Sequence, residues 1–228
     1  MSSKYISLIR HGDYLQRPSA PSAFQPFTLT PVGELQAAKA VILLEKFIST
    51  QNLKIHPCLY SSSLLRAWQT ADIIRQDLTQ EQLPIESSIQ LAERCVGSVA
   101  NLTVEEIEQV LEQDPRYGKP PEKWKSDSFY CLPFPGAESL MEAGERVADY
   151  LRSIANKLAE SELAIVVAHG ASFRHAAHQL GILEQSDISK LSMYHCKPIF
   201  IEVPDVVTEK WSHVSGDWKV REQAEQPD

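Results

Sequence analysis

Three apolar runs in this chain each stop abruptly at a polar group. Tyr5–Ile9 runs into Arg10-His11-Gly12-Asp13, Cys58–Tyr60 into Ser61-Ser62-Ser63, and Leu163–Ala168 into His169-Gly170. Continuous apolar runs, as opposed to alternating ones, mark strands covered on both faces, as in a parallel sheet between helices. Helix signals follow or precede each run. Thr30 and Pro31 open a helix whose Ala37, Val41, Leu44 and Ile48 share one stripe, and the serine-rich turn leads into a second helix through Ile74. Gly136 precedes a third, with Leu140, Gly144, Val147, Leu151, Ile154 and Leu158 in helical register. The predicted fold is α/β, with three α/β/α layers around a mostly parallel central sheet. Ile199–Val203 and the segment around Trp211 and Trp218 are predicted late strands.

Between Glu93 and Pro135 this rhythm breaks. Thr103 with Glu106 three residues on forms a capping box for one acidic helix, after which Pro115, Pro120, Pro121, Pro133 and Pro135 interrupt the chain. Residues 94–135 are read as a small helical and loop insertion over the active site. The 228 residues exceed the ~150 expected of one domain by about half, which suits one domain over 1–228 with an insertion better than two equal domains. Residues 221–228 read as a polar tail.

With 22 Lys and Arg against 30 Asp and Glu the net charge is −8, which speaks against a broad nucleic-acid surface. Any anion site must be a local focus of arginine. No apolar run approaches a membrane span, and the N-terminus lacks the basic and long apolar regions of a signal peptide. Cys58, Cys95, Cys131 and Cys196 contain no C-x-x-C pair and are read as unpaired thiols, so a cytoplasmic, reducing location is expected.

Neighbouring parallel strands bring their carboxyl ends together, so Arg10, His11, Arg66 and His169 are expected in one pocket. Each alone has an ordinary reading, the arginines as surface ion pairs and the histidines as satisfied buried imidazoles. Shared placement weakens those readings together. His175 and His178 sit at i and i+3, yet no Cys or carboxylate completes a metal set, and they are read as structural. No metal and no cofactor is expected.

The residues also fall into a known order. Leu8-Ile9-Arg10-His11-Gly12, Leu29-Thr30-x-x-Gly33-x-x-Gln36-Ala37, Ser62-Ser63-Leu64-x-Arg66-Ala67-x-Gln69-Thr70-Ala71, Leu91-x-Glu93-Arg94-x-x-Gly97, Gly136-x-Glu138-Ser139 and Ala168-His169-Gly170 resemble the signatures of the histidine phosphatase superfamily, in its phosphoglycerate mutase-like branch. The resemblance implies that His11 is a nucleophile forming a phosphohistidine. It implies that Arg10, Arg66 and His169 bind the phosphoryl group and that Glu93 is the general acid and then base. Tyr14, Arg17, Arg94 and Gly170 are the expected contacts to the rest of the substrate. Asp13 is a rival acid, its ordinary reading being a loop carboxylate bonded to backbone. Glu138 suits a helix start through the dipole alone, with a place at the pocket edge as its second reading.

Departures from the mutase pattern narrow the expectation. Tyr14 and Arg17 stand where such mutases carry Ser and Asn, Val96 where they carry Tyr, and Arg116 is followed by Tyr117 where they carry paired arginines. A metal-independent phosphomonoester hydrolase is therefore expected. The alternatives are a phosphoglycerate mutase-type phosphotransferase and a phosphoprotein-binding module without turnover. A pure binder needs neither His11 nor Glu93. The substrate is a phosphorylated small molecule or phosphoprotein, met by the loop from Tyr14 to Phe27 and by the insertion, and the oligomeric state is not legible.

Overall fold

The computed structural model describes residues 3–22, 24–78, 82–207 and 209–221. In chain order these form β1 (Lys4–Arg10), α1 (Pro31–Gln51), β2 (Lys54–Ile55), β3 (Leu59–Ser62), α2 (Leu65–Leu78) and β4 (Ile85–Ser88). Then come α3 (Val104–Gln113), α4 (Leu140–Ala155), β5 (Glu162–Ala168), α5 (Gly170–Gln179), α6 (Gln185–Ile188), β6 (Leu191–Ser192), β7 (Ile199–Val203), β8 (Ser212–Ser215) and β9 (Lys219–Val220).

The central sheet has seven strands in the order β4-β3-β5-β1-β7-β8, with β2 also on β5. β1, β2, β3 and β4 run parallel to their partners around β5, whereas β7 is antiparallel to β1 and β8 to β7. The α/β expectation holds, with a mixed sheet whose antiparallel part lies at one edge. Alternation along β5 shows why its run is apolar throughout. Leu163, Ile165 and Val167 face the layer of α1 and α2, while Ala164, Val166 and Ala168 face α4 and α5.

Local signals act as their chemistry requires. The Thr30 hydroxyl caps α1 by accepting the Gly33 N–H at 3.1 Å, Pro31 occupies the first turn, and Asn52 ends the helix in the left-handed region. The stripe on α4 is buried as expected, and Gly144 lets α5 approach so closely that a Cβ there would lie 2.4 Å from the His175 Cβ. Ser61 and Ser62 correct the expectation of a serine-rich turn. They are strand residues, fully buried and paired in register with Ser87 and Ser88, so ladder pairing overrides their capping preference, and α2 starts at Leu65 and runs past Ile74. The insertion has its own core, with Val96, Val99, Ile107, Leu111, Trp124 and Leu132, and the Thr103–Glu106 capping box opens α3.

Trp211 is core and Trp218 packs partly buried against it, outside the flanking strands β8 and β9. β6 and β9 form a separate two-stranded sheet, and the Arg221 N–H donates to the Lys190 carbonyl at 2.8 Å, so the chain is still anchored there. Residues 222–228 of the expected tail lie outside the described residues. Among the described residues no helix is long and apolar enough to cross a membrane.

Candidate active site

Register places the site. Arg10 pairs with Ala168 and Ser61 with Val167, so Arg10, Ser62 and His169 emerge at one level of the sheet. His11 follows Arg10 and is only 1% exposed. A Cβ on Gly12 would lie 2.5 Å from the Gly33 carbonyl oxygen, which is why glycine follows His11. The Gly12 N–H donates to Thr70 Oγ1 at 3.0 Å.

Arg66, fully buried at the first turn of α2, organises the cluster. Its Nε donates to His11 Nε2 at 3.1 Å and its Nη2 to His169 Nδ1 at 3.2 Å. Its remaining N–H groups hold the carbonyls of Gln25 at 3.0 Å and Ser22 at 2.8 Å, which ties the loop before α1 to the site. These bonds assign the tautomers. His11 donates from Nδ1 to the Gly12 carbonyl at 2.7 Å and keeps a lone pair on Nε2, while His169 donates from Nε2 to Ser62 Oγ at 2.8 Å.

Burial, followed by the Arg66 guanidinium, holds both imidazoles well below the usual histidine range, so both are neutral. His175 is lowered to about 3 by burial and then Arg174, with Nδ1 donating to the Ala171 carbonyl at 2.8 Å and Nε2 bonded to Ser128 at 3.1 Å. Unfolded, each titrates near ~6.5, so below that pH the unfolded chain binds more protons than the folded one. Their stabilising contribution is whole above about pH 6.5 and is lost as pH falls toward the folded values. The unfolding free energy from urea titration is expected to fall from pH 6.5 to 5 with a slope of up to ~1.4 kcal/mol per pH unit for each histidine, and the midpoint with it. His175→Gln is expected to flatten that slope, and a midpoint indifferent to pH in this window would contradict buried neutral imidazoles.

Glu93, 6% exposed, faces the amino end of α5. Its Oε1 accepts the N–H groups of Arg94 and Ser172, both at 3.0 Å, and its Oε2 that of Ala171 at 3.3 Å. Arg66 and Tyr14 both feel its charge. Glu138, expected first as a helix-start carboxylate and second as a residue at the pocket edge, clamps this segment. Its Oε1 accepts the Cys95 N–H at 2.9 Å and Arg146 Nη2 at 2.6 Å, while Arg146 also donates to the Ala92 carbonyl at 3.2 Å.

Of the remaining expected residues, the structure brings three to the cluster. The Tyr14 ring stands edge-on to His11 with centroids 5.2 Å apart, under the Arg66 guanidinium at 4.5 Å, its hydroxyl bonded to Ser22 at 2.8 Å. Gly170 leaves room for Arg10, whose Cδ would lie 3.1 Å from a Cβ there, and Arg10 donates to the Met193 carbonyl at 3.0 Å. Arg94 is buried beside Glu93. Arg17 is placed elsewhere: its guanidinium is engaged with Glu106 at 3.2 Å and the Asn101 carbonyl. Asp13 accepts the Thr30 hydroxyl at 2.7 Å, the loop-carboxylate role. His178 bonds the Leu183 carbonyl at 3.0 Å.

His195 is the residue the sequence reading missed. Its Nδ1 donates to the His11 carbonyl at 2.6 Å and its ring centroid lies 5.5 Å from that of His11. A cavity of about 690 Å³ opens from Arg10 and Ser22 toward Glu105, Glu108, Trp124 and Lys125, lined by the loop before α1 and by the insertion.

Fold and cluster together define an α/β protein in which the ends of two parallel strands deliver Arg10, His11 and His169, and helix α2 delivers Arg66, to one cluster. The chain belongs to the histidine phosphatase superfamily, the family model of branch 1 matching residues 6–207. A 2,3-bisphosphoglycerate-dependent phosphoglycerate mutase of Corynebacterium efficiens is 26% identical, the match covering 89% of this chain and 86% of that one. The protein of that name from Gloeothece citriformis is 28% identical, covering 88% and 94%. Among solved structures, a mycobacterial glucosyl-3-phosphoglycerate phosphatase matches with a TM-score of 0.65 at 20% identity, covering 95% of this chain and 97% of that one. The alpha-ribazole phosphatase of Shigella flexneri matches at 0.68 with 18% identity, covering 95% of each. At these identities the structural likeness speaks for the fold. Members of the family so named are phosphatases or mutases, and this chain is accordingly an enzyme of that kind.

Proposed function

We propose that this chain is a phosphomonoester hydrolase working through a phosphohistidine on His11. The observation that carries the reading is the Arg66 Nε–H aimed at His11 Nε2. It supports that lone pair as the one that attacks phosphorus, with a guanidinium beside it to meet the phosphoryl oxygens. In the first step the Nε2–P bond forms as the P–O bond to the alcohol breaks, and Glu93 gives the departing oxygen its proton. In the second, water attacks phosphorus, Glu93 takes the water proton, and the P–N bond breaks to release inorganic phosphate and neutral His11. Arg10, Arg66 and His169 hold the equatorial oxygens throughout.

Hydrolysis is favoured over mutase chemistry by what replaces the mutase-like groups. Tyr14 is packed inside the cluster, Arg17 is engaged with Glu106, Val96 is buried, and Arg116 is paired with Asp114 at 2.6 Å. The size of the cavity at Arg10 suits a small phosphorylated molecule better than a folded phosphoprotein. Four free thiols favour a reducing, cytoplasmic setting. The names of the relatives keep a mutase as the second reading. p-Nitrophenyl phosphate should be hydrolysed, and 3-phosphoglycerate should not be isomerised when 2,3-bisphosphoglycerate is added. The opposite pair of results would replace this reading with the mutase.

Positive charge at the phosphoryl group comes from arginine, so the rate is expected to be unchanged by EDTA. Vanadate, an oxyanion that can take the geometry of phosphoryl transfer, is expected to inhibit. Loss of activity on chelation, restored by Mg²⁺ or Zn²⁺, would overturn the arginine cradle.

A further inference from the structure

The proposed steps give His195 no task, yet its segment grips the end of β1 at three points. The Arg10 guanidinium donates to the Met193 carbonyl at 3.0 Å, the Cys196 N–H to the Arg10 carbonyl at 2.9 Å, and His195 Nδ1 to the His11 carbonyl at 2.6 Å. A carbonyl has no proton to give, so Nδ1 carries the hydrogen. The same segment holds a strained residue. Cys196 sits at φ +54°, in the left-handed region that a residue with a β-carbon seldom takes. Burial pushes its thiol up to about 12, so no thiolate explains the strain.

The His195 bond matters because of where it falls. It holds the peptide joining His11 to Gly12, and glycine is the freest hinge a backbone has. That peptide's carbonyl is held by His195 on one side and its N–H by Thr70 Oγ1 at 3.0 Å on the other. The next peptide is held in the same way, its Gly12 carbonyl by His11 Nδ1 at 2.7 Å and its Asp13 N–H by Gln36 Oε1 at 2.8 Å. Both planes that meet at Gly12 are thereby fixed, and the carbonyl that orients the His11 imidazole is fixed with them. Without His195 the first plane keeps Thr70 alone and can tilt about it, which turns the Nε2 lone pair away from Arg66 Nε, now 3.1 Å off. The His195 ring also stands beside that of His11, with centroids 5.5 Å apart, so donor and ring are separate means of holding it.

We infer that His195 is a positioning residue for the nucleophile: its Nδ1–H, acting through the His11 carbonyl, fixes the direction of the His11 Nε2 lone pair for in-line attack on phosphorus. The inference rests on the phosphohistidine reading above. A small error of aim has a large effect, since a misplacement of about 1 Å costs on the order of 10²-fold in rate.

The test separates donor from ring. His195→Asn keeps an N–H close to the place of Nδ1 and loses the ring, whereas His195→Phe keeps a ring and loses the donor. In rapid-quench experiments at saturating p-nitrophenyl phosphate, His11 phosphorylation is expected to slow by about 10- to 100-fold in His195→Phe and to stay within about threefold of wild type in His195→Asn. The inhibition constant of inorganic phosphate reads the cradle of Arg10, Arg66 and His169 and not the aim of His11, so it is expected to change by less than about twofold in both. His195→Ala, lacking donor and ring, is expected to match His195→Phe and replaces it should that variant not fold. Phosphorylation at the wild-type rate in His195→Phe, or equal slowing in His195→Phe and His195→Asn, would overturn the inference and leave the hydrolase standing. So would an inhibition constant that rises in step with the loss of rate, or loss of the fold in both variants without the donor, since the bond would then be structural. A wild type that neither hydrolyses p-nitrophenyl phosphate nor forms phosphohistidine would overturn the hydrolase reading and this one with it.

Discussion

Enzyme quenched during turnover is expected to carry an acid-labile, base-stable phosphate on His11, and His11→Ala is expected to carry none. Its kcat is expected to fall by about 10⁴- to 10⁶-fold, as when other covalent enzymes lose their nucleophile. The effect is expected to be large because the groups next to His11 are held in other roles. His169, the other imidazole beside Arg66, has Nδ1 facing that guanidinium and Nε2 committed to Ser62. Tyr14 is bonded to Ser22, and burial pushes its phenol above the usual range, so it supplies no phenolate. The variant is expected to fold, because Arg66 keeps its bonds to the Gln25 and Ser22 carbonyls and to His169. Circular dichroism with rapid-quench labelling and mass mapping checks both parts. Phosphate on another residue, or none in the wild type, would remove His11 from the role.

What the sequence disclosed and what it hid follow one physical division. Strand ends are legible, because an apolar run that stops at Arg10-His11 or at His169 states both the burial and the point where the chain turns polar. Arg66 was legible through its place after the second run. Interactions through the main chain were not. His195 reaches the site by bonding the His11 carbonyl from a segment with no periodic pattern of its own, held beside the end of β1 by a parallel bridge to Arg10 and by the Cys196 N–H on the Arg10 carbonyl. Arg17 shows the converse: Glu106 was visible as a capping-box residue, but nothing in the sequence says the same carboxylate also pairs with Arg17. β4 was hidden because Ile85–Ser88 has no apolar alternation, and it is a strand by virtue of β3 beside it.

The remaining question is which carboxylate gives the leaving group its proton, and the two candidates differ in what holds them. Asp13 is occupied at the start of α1 by the Thr30 hydroxyl, whereas Glu93 lies against the amino end of α5 within the electrostatic reach of Arg66. An alkyl alkoxide is a poor leaving group and needs a proton in the transition state, while p-nitrophenolate departs unaided. General acid help is worth about 10²- to 10⁴-fold, or roughly 3 to 5 kcal/mol. Glu93→Gln is therefore expected to lose that factor in kcat/KM on an alkyl phosphate and far less on p-nitrophenyl phosphate. The substitution is conservative for the backbone: an amide oxygen still accepts from Arg94 and Ser172, and the N–H of Ala171 alone is left facing an NH₂ group. On the proposed mechanism Glu93 also activates water in the second step, so the variant is expected to accumulate phosphohistidine and to release p-nitrophenol in a burst. Asp13→Asn, measured beside it, is expected to treat the two esters alike. Equal losses on both esters for Glu93→Gln, with the leaving-group dependence appearing in Asp13→Asn, would transfer the acid role to Asp13.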